Sequence, residues 1–201
     1  SKVGQHIEVL KLEEFGNALF LDSELQVAEK DEKKYSGQFV NSALSLSKDN
    51  SSAAIIGGGD GGVARELSFK GFDLIDWFEL DPEVVKVCQK HLSKVCGDVT
   101  ANNKVKTYWG DAFESIKKVK DSKYDKIFVD LNDDQFCIDL AAKNMKGLKR
   151  ILKPGGIITA QVGCMSKKPK QIRNWMELLR NNFGNAELTE VFIPSFDCRW
   201  N

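Results

Sequence analysis

The beginning of the chain has the apolar and polar alternation of β-structure. Residues 6–13 alternate apolar and polar side chains, and residues 17–28 hold two more short apolar runs joined by Asp22-Ser23. Alternation of this kind is typical of half-buried strands, and the Asp-Ser pair is typical of a tight turn. We therefore predict a small antiparallel β region at residues 1–45, separated from the rest of the chain by a polar, turn-rich segment at residues 45–52.

From residue 53 onward the pattern changes to apolar strands that alternate with helices. The predicted strands cover residues 53–57, 72–80, 105–108, 124–130, 156–162 and 188–193. The predicted helices cover residues 62–70, 82–93, 112–119 and 169–182, with one more that ends at Leu152. Such alternation indicates an α/β fold with a doubly wound, largely parallel, Rossmann-like sheet over residues 52–201. Ligands of these sheets bind beyond the carboxyl ends of the strands.

Composition and charge exclude several classes of protein. The 201 residues include 29 Lys plus Arg and 29 Asp plus Glu, so net charge gives no reason to expect a nucleic acid or a membrane surface as partner. No apolar stretch approaches the roughly 18 residues of a membrane span, and no signal peptide opens the chain. The five cysteines are an odd number without CxxC spacing, so neither a disulfide framework nor a zinc site is indicated. We expect reduced thiols and a cytoplasmic location.

A glycine-rich loop follows the first strand of the predicted sheet. Gly57-Gly58-Gly59-Asp60-Gly61-Gly62 forms a turn in which backbone can approach a ligand closely, next to the positive end of a helix dipole. A carboxylate at this place works against phosphate, but it can pair with an ammonium or a sulfonium. Asp60 therefore suits an adenosine-like ligand that is cationic at its far end. The alternative is that Asp60 only caps the helix.

Acidic residues stand where four predicted strands end. They are Asp60, Glu79, Asp111 and Asp130, and in a parallel sheet all four face the ligand edge. Glu79 lies about twenty residues after the glycine loop, the spacing at which an acidic residue binds a ribose; an exposed strand end is the alternative. Asp111 can cap the next helix and can also accept the amino group of an adenine.

The strand that ends at Asp130 runs directly into further acids. Asp133 and Asp134 follow within the next four residues, and three carboxylates so close together repel one another unless a cation neutralises them. This loop suits a polyamine or another cationic substrate. Asp130 can take a proton from an ammonium and make the amine nucleophilic. An acidic loop that binds nothing is the alternative.

Taken together, these motifs resemble the spermidine and spermine synthases, the polyamine aminopropyltransferases. The matching residues, which cover nearly the whole chain in order, are Gln5-His6-Ile7-Glu8-Val9, Phe15-Gly16-Asn17, Leu21-Asp22, Ala28-Glu29-Lys30-Asp31-Glu32, Tyr35, Gly57 to Gly62, Glu79-Leu80-Asp81-Pro82, Gly110-Asp111, Val129-Asp130 and Leu152-Lys153-Pro154-Gly155-Gly156. Residues 90–99 and Ile193-Pro194-Ser195-Phe196 look more like the spermine synthase branch.

The resemblance implies transfer of the aminopropyl group of decarboxylated S-adenosylmethionine to a polyamine, putrescine or spermidine, with release of methylthioadenosine. It implies no metal, no tightly bound cofactor and assembly as a homodimer. By resemblance, Asp130 is the catalytic base, and the acceptor amine is bound by Tyr35, Asp133 and Gln26. The residues that would hold the donor by resemblance are Gln5, Gly57, Gly58, Gly59, Asp60, Glu79, Asp111 and Ala112.

Some positions differ from the family pattern. Ser36 follows the motif tyrosine where glutamine or histidine is usual, Gly37 stands where an acidic residue is common, and Phe196 stands in place of a tyrosine. The identity of the acceptor amine therefore stays open between putrescine, spermidine and agmatine.

Two other functions stay open. A methyltransferase that uses intact S-adenosylmethionine shares this type of sheet and would use the same Glu79 and Asp111, although Asp60 and the loop at residues 130–134 argue against it. A non-catalytic homologue that binds an adenosyl ligand or a partner subunit is the second alternative.

Overall fold

The computed structural model describes residues 1–201. Its strands are β1 (Ile7–Leu12), β2 (Gly16–Leu21), β3 (Glu24–Ala28), β4 (Ser52–Gly57), β5 (Leu74–Glu79), β6 (Val105–Trp109), β7 (Tyr124–Asp130), β8 (Leu152–Ala160), β9 (Val191–Ile193) and β10 (Cys198–Trp200). Its helices are α1 (Glu32–Leu46), α2 (Gly62–Phe69), α3 (Pro82–His91), α4 (Ser93–Cys96), α5 (Ala112–Ile116), α6 (Gln135–Ile151) and α7 (Pro169–Phe183).

The predicted α/β fold is confirmed. Five strands pair in parallel in the order β6-β5-β4-β7-β8. Successive side chains of a strand point to opposite faces of the sheet. In β4, Ala53 and Ile55 accordingly pack with α1 to α4, whereas Ala54 and Ile56 pack with α5 to α7. Both faces are therefore covered by helices, as a parallel sheet requires.

The predicted antiparallel region is also confirmed. β1, β2 and β3 form a three-stranded sheet, and Asp22 and Ser23 make the turn between β2 and β3 with positive φ values of 50° and 69°. Leu19 and Val27 of this sheet belong to the same buried cluster as Phe39 of α1. The small sheet is thus packed against the first helix. The division of the chain into two domains at residues 45–52 stays a prediction.

Side-chain caps fix where helices begin at the ligand edge. Asp81 accepts a hydrogen bond from Glu83 N at 3.0 Å, with Pro82 in the first turn of α3. Asp134 accepts one from Cys137 N at 2.8 Å at the start of α6. These bonds satisfy amide donors that a helix leaves unpaired at its N-terminus. None of the helices is both long and apolar enough to cross a membrane.

Two elements differ from the prediction. Residues 32–46 form helix α1, although residues up to 45 were assigned to a β region. Its buried side chains include Glu32 and Ser36 beside Phe39, Val40 and Ala43, and these polar members mask the apolar helical period. The strand expected at 188–193 is the short β9, which pairs antiparallel with β10 and stands outside the parallel sheet.

The expectation that all cysteines are reduced is wrong for one pair. Cys164 and Cys198 form a disulfide with their Cα atoms 6.2 Å apart, and Cys88, Cys96 and Cys137 are free. An isolated antiparallel β-bridge between Cys164 and Trp200 brings the two cysteine-containing segments together. Spacing along the sequence carries no trace of that tertiary pairing, which is why the odd cysteine count was misleading.

Candidate active site

The four acids of the strand ends lie along one edge of the parallel sheet. Gly57 is opposite Asp130 in the β4–β7 register, and Glu79 is opposite Trp109 in the β5–β6 register. The loops that follow these strands therefore emerge side by side, as the sequence predicted. The region that these acids line at the ends of β4, β5, β6 and β7 is the candidate cleft, in which Glu79 is buried, Asp60 and Asp130 are half-buried and Asp111 is exposed.

The glycine loop lies directly against the Asp130 backbone and side chain. Gly58 N donates a hydrogen bond to Asp130 O at 2.9 Å. A Cβ at Gly57 would come within 2.3 Å of the same oxygen, and one at Gly58 would come within 2.9 Å of Asp130 Oδ2. Similarly, a Cβ at Gly59 would lie 3.2 Å from Glu79 Oε2. Only glycine permits this approach, so the loop and both acids form one rigid unit.

Asp60 points into the start of α2. Gly62 N donates to Asp60 Oδ1 at 2.6 Å, but the N-cap residue of α2 is Gly61, so Asp60 lies one residue before the cap. No protein donor contacts its second oxygen, Oδ2. A Cβ at Gly62 would lie 2.6 Å from both Glu32 Oε1 and Ser36 Oγ. Asp60 is therefore enclosed by the first turns of α1 and α2 and keeps one carboxylate oxygen for a ligand.

Tyr35 and Asp130 form a direct pair. The Tyr35 hydroxyl on α1 donates a short hydrogen bond to Asp130 Oδ1 at the end of β7. Burial and the adjacent Asp130 carboxylate raise the pKa of Tyr35 well above its ordinary value, so the phenol stays a donor. Burial raises the pKa of Asp130 to about 6, although the hydrogen bond from Tyr35 lowers it. Asp130 Oδ2 has no protein donor and lies beside Gly58 of the glycine loop.

The Asp60 and Asp130 carboxylates influence each other electrostatically in this cleft. Burial and then the Asp130 carboxylate raise the pKa of Asp60 well above its ordinary value. Neighbouring carboxylates favour a bound cation, because the cation offsets the repulsion between their charges.

Glu79 is buried at the end of β5. Glu79 is only 7% exposed, so it is not the exposed strand end that was the alternative interpretation. Its Oε1 accepts a hydrogen bond from Asp81 N at 2.8 Å. Burial raises the pKa of Glu79 to about 7, against the lowering effect of that hydrogen bond. Oε2 lies beside Gly59 of the glycine loop, 3.2 Å from the position of a Cβ there.

Asp111 combines a cap with an open oxygen. Its Oδ1 accepts hydrogen bonds from Phe113 N at 2.8 Å and Glu114 N at 3.2 Å, so it caps α5 as predicted. The residue is exposed, and Ala112 begins the helix beside it. An adenine at this place would find a carboxylate oxygen and a backbone amide of the first helical turn.

Three of the predicted residues stand apart from the Asp60–Asp130 cluster. Asp133 forms an ion pair with Lys168, whose Nζ lies 3.0 Å from Asp133 Oδ1. The Gln26 amide donates to Glu24 O at 3.1 Å within its own hairpin. Gln5 is held near the N-terminus, where its backbone N donates to Ser1 Oγ. None of the three makes a hydrogen bond to Asp60 or Asp130.

A buried ion pair between Arg65 and Glu32 was not predicted from the sequence. Arg65 donates through Nη1 and Nη2 to both oxygens of Glu32 at 2.9 Å each, and Nη1 also binds Lys94 O and Val95 O. Both partners are almost completely buried. A single arginine inside the apolar helix of residues 62–69 is the signal that could have identified the pair.

Asp31 is a second residue whose role was not predicted, and it joins the start of α1 to a turn near the end of the chain. Asp31 accepts hydrogen bonds from Ser195 N at 2.7 Å and Ser195 Oγ at 3.0 Å. This holds the turn at residues 194–196 against the start of α1. In the same turn the Phe196 ring packs against the Trp200 ring with their centroids 4.6 Å apart and their planes tilted by 38°, so Phe196 has an aromatic partner in place of a hydroxyl interaction.

Comparison with known proteins identifies the family. The family model described as the spermine/spermidine synthase domain matches residues 32–200. The chain belongs to this family. A polyamine aminopropyltransferase of Prochlorococcus marinus (strain MIT 9215) is 34% identical over 199 residues, which cover 96% of this chain and 69% of that protein. The homologue from strain NATL1A is 33% identical over 190 residues, with coverages of 91% and 65%.

Solved structures of the spermine/spermidine synthase family have the same fold. A spermidine synthase from Thermotoga maritima matches with a TM-score of 0.89 at 20% identity, over 98% of this chain and 67% of that one. A spermidine synthase in complex with the transition state analogue AdoDATO matches with a TM-score of 0.90, also at 20% identity, over 98% of this chain and 68% of that one. The predicted resemblance and the fold class are thus confirmed.

Family membership leaves the roles of individual residues as predictions. The structure groups Tyr35, Asp60, Glu79 and Asp130 around one cleft and sets Asp111 at the end of the neighbouring strand. Asp133 is bound to Lys168 and makes no hydrogen bond to this group. For a member of the spermine/spermidine synthase family, the cleft is the natural place to assign chemistry.

Proposed function

We propose that this cleft transfers the aminopropyl group of decarboxylated S-adenosylmethionine to an amine of the putrescine or spermidine class and releases methylthioadenosine. The observation that carries the proposal is the pair of half-buried acids Asp60 and Asp130, each with one carboxylate oxygen free of protein donors. Arg65, a cation that lowers the pKa of Asp60, is already bound to Glu32 and Glu66. The cleft is therefore short of positive charge, and this reaction supplies cations from both substrates.

Three strand ends suit the adenosyl half of the donor. Glu79 Oε2 would accept both ribose hydroxyls, as a buried carboxylate does with charge-assisted hydrogen bonds. Asp111 and the backbone of Ala112 would bind the adenine. The glycines of the loop let the donor pass close to the backbone of residues 57–59, as the absence of side chains there permits.

Asp60 and Asp130 would divide the reacting ends between them. Asp60, with Gln5, would bind the ammonium at the end of the donor's aminopropyl chain. Asp130, oriented by Tyr35, would take a proton from the acceptor ammonium. The nitrogen lone pair then attacks the carbon next to the sulfonium, the C–N bond forms as the C–S bond breaks, and the electron pair leaves on sulfur as a neutral thioether.

The alternatives differ in charge. Intact S-adenosylmethionine carries a carboxylate that Asp60 would repel, which disfavours a methyltransferase. A non-catalytic homologue would bind the donor without product. Assembly as a homodimer and a cytoplasmic location stay predictions.

We expect decarboxylated S-adenosylmethionine to bind at least about tenfold more tightly than the intact compound, or roughly 1.4 kcal/mol. The physical reason is that Asp60 attracts the ammonium of the decarboxylated compound, whereas it repels the carboxylate that the intact compound also carries. Calorimetric titration of both compounds measures the ratio. In Asp60→Asn the ratio should shrink, because the charge that discriminates is gone.

Methylthioadenosine is the matched control for this titration, because it lacks the aminopropyl chain. Its affinity should be the same in the wild type and in Asp60→Asn. Equal affinity of the wild type for the two sulfonium compounds would contradict the assignment of Asp60 and favour a methyltransferase.

A further inference from the structure

The backbone on either side of Asp130 is held by one residue of the neighbouring strand. Val129 and Ala160 are the last partners in the β7–β8 register, and β7 ends at Asp130. Just beyond this pair, Gln161 N donates a hydrogen bond to Val129 O at 3.0 Å. The side chain of the same residue extends the contact, because Gln161 Nε2 donates to Leu131 O at 2.8 Å. Gln161 therefore binds the carbonyl before Asp130 and the carbonyl after it.

The side-chain bond takes the place of a backbone bond at the end of the sheet. In a parallel ladder the donors are evenly spaced at every second residue, so Gly163 N would be the next donor, to Leu131 O. Gly163 has a φ of 94° and leaves the extended conformation of β8, and Asn201 N donates to Gly163 O at 2.9 Å. The Leu131 carbonyl therefore receives its hydrogen bond from the Gln161 side chain.

The carbonyl between these two is fixed by the glycine loop. Gly58 N donates to Asp130 O at 2.9 Å, so three successive carbonyls each have a donor. The Leu131 side chain also lies against the loop, since its Cδ2 would be 3.1 Å from a Cβ at Gly57. These contacts set the direction in which the Asp130 side chain leaves the backbone, and its Oδ1 then meets the Tyr35 hydroxyl.

The Gln161 amide carries a cost that an apolar side chain would avoid. Gln161 is 8% exposed, and its Oε1 is buried without a hydrogen-bond partner. A buried polar atom without a partner is destabilising. The amide nitrogen, in contrast, makes the hydrogen bond to Leu131 O. The donor is therefore the part of this side chain that has a role.

We propose that Gln161 is a positioning residue for the base Asp130, which it holds in place through the backbone of residues 129–131. This inference rests on the proposed function in that Asp130 takes the proton of the acceptor amine. A base must lie within hydrogen-bond reach of the proton that it removes, and a misplacement of about 1 Å can cost on the order of a hundredfold in rate. Loss of the side-chain bond should therefore lower turnover although the base is still present.

The substitution Gln161→Met tests the proposal, because methionine is similar in size but cannot donate to Leu131 O. Its kcat should fall at least about tenfold, while the affinity for decarboxylated S-adenosylmethionine, measured by calorimetry, stays unchanged. In the Asp130→Asn background the same substitution should change the residual kcat by less than about twofold, because a residue that acts through Asp130 no longer has a base to position. A merely structural role would lower kcat in both backgrounds.

A control variant makes the kinetic result specific. Gln171→Met makes the same substitution at a half-buried glutamine of α7 whose side chain makes no hydrogen bond within the protein. It should leave kcat unchanged.

Amide hydrogen exchange, followed by NMR, reports on the backbone at Asp130 without turnover. The Gly58 amide is the donor to Asp130 O, whereas the Ile75 amide donates to Lys104 O at the opposite end of the sheet. In Gln161→Met the Gly58 amide should exchange at least about tenfold faster relative to the Ile75 amide, because local opening raises exchange only where the structure is loosened. Global destabilisation would leave this ratio unchanged.

Wild-type kcat in Gln161→Met would overturn the proposal, and so would an unchanged exchange ratio or an equal loss of kcat in both backgrounds. A rise in KM for the amine at unchanged kcat would also overturn it, since that result indicates direct binding of substrate. These outcomes are separable from a failure of the proposed function. If the wild type forms an aminopropylated product, they concern Gln161 alone. If the wild type turns over no amine, the proposed reaction is wrong, and the exchange ratio decides whether Gln161 holds the Asp130 backbone.

Discussion

Replacing Asp130 with asparagine should lower kcat by about a hundredfold or more while donor affinity changes little. An alkyl ammonium carries no lone pair near neutral pH, so a base must remove its proton as the new bond forms, and a general base contributes on this scale. Asparagine keeps the size of the side chain but cannot accept the proton. Steady-state kinetics give kcat, and calorimetry with decarboxylated S-adenosylmethionine gives the donor affinity.

The pH dependence of kcat/KM gives a second test of Asp130. The base must be unprotonated, and the pKa of Asp130 in the free protein is raised to about 6 by burial. The wild-type kcat/KM should therefore fall by about tenfold for each pH unit below that value. This acidic limb should be absent from Asp130→Asn, whose remaining activity has no carboxylate to protonate at that position.

Asp139→Asn is the matched control, because it makes the same substitution at an exposed residue of the following helix. It should leave kcat unchanged. Thermal unfolding of both variants checks that they fold. Wild-type turnover in Asp130→Asn would exclude Asp130 as the base, and the search would move to another group that can receive the proton.

The second large effect concerns stability. Arg65→Met should lower the free energy of unfolding by about 3–5 kcal/mol, the usual cost of removing one partner from a buried ion pair. Glu32 would be left buried without its bidentate partner, and the backbone oxygens of Lys94 and Val95 would lose a donor. Chemical denaturation with a two-state fit measures the change.

A surface pair provides the comparison for Arg65. Lys86 and Glu83 are 2.8 Å apart on α3, with the lysine side chain 67% exposed, so Lys86→Met should change stability by less than about 1 kcal/mol. Adding Glu32→Gln to Arg65→Met should restore part of the loss, because the unpaired buried charge is then removed. A loss below about 1 kcal/mol in Arg65→Met would show that the pair contributes little.

The parallel sheet and the acids at its edge could be predicted because their signals are local. Ala53 to Ile56 is an apolar run that ends in a glycine loop, and Ile127 to Val129 is one that ends in Asp130. An apolar strand that ends in a turn shows where its carboxyl end lies, so the residues at the ligand edge can be identified from the sequence. The same logic located Asp60, Glu79 and Asp111 on the ligand edge.

The missed features depend on contacts between distant residues. Tyr35 meets Asp130 across 95 positions of sequence, and Arg65 meets Glu32 across 33. The Asp133 carboxylate was predicted to bind substrate amines, yet Lys168, 35 positions away in sequence, donates a hydrogen bond to it. That contact depends on the loop between β8 and α7, which has no periodic pattern to interpret.

Aminopropyl transfer is tested most directly by the mass of the product. The chain is incubated with decarboxylated S-adenosylmethionine and, in separate reactions, with putrescine, spermidine and agmatine, and the products are identified by mass spectrometry. At least one amine should gain one aminopropyl group, with an equal amount of methylthioadenosine released. A methylated product from intact S-adenosylmethionine, or a bound donor that yields no product with any amine, would contradict the proposed reaction.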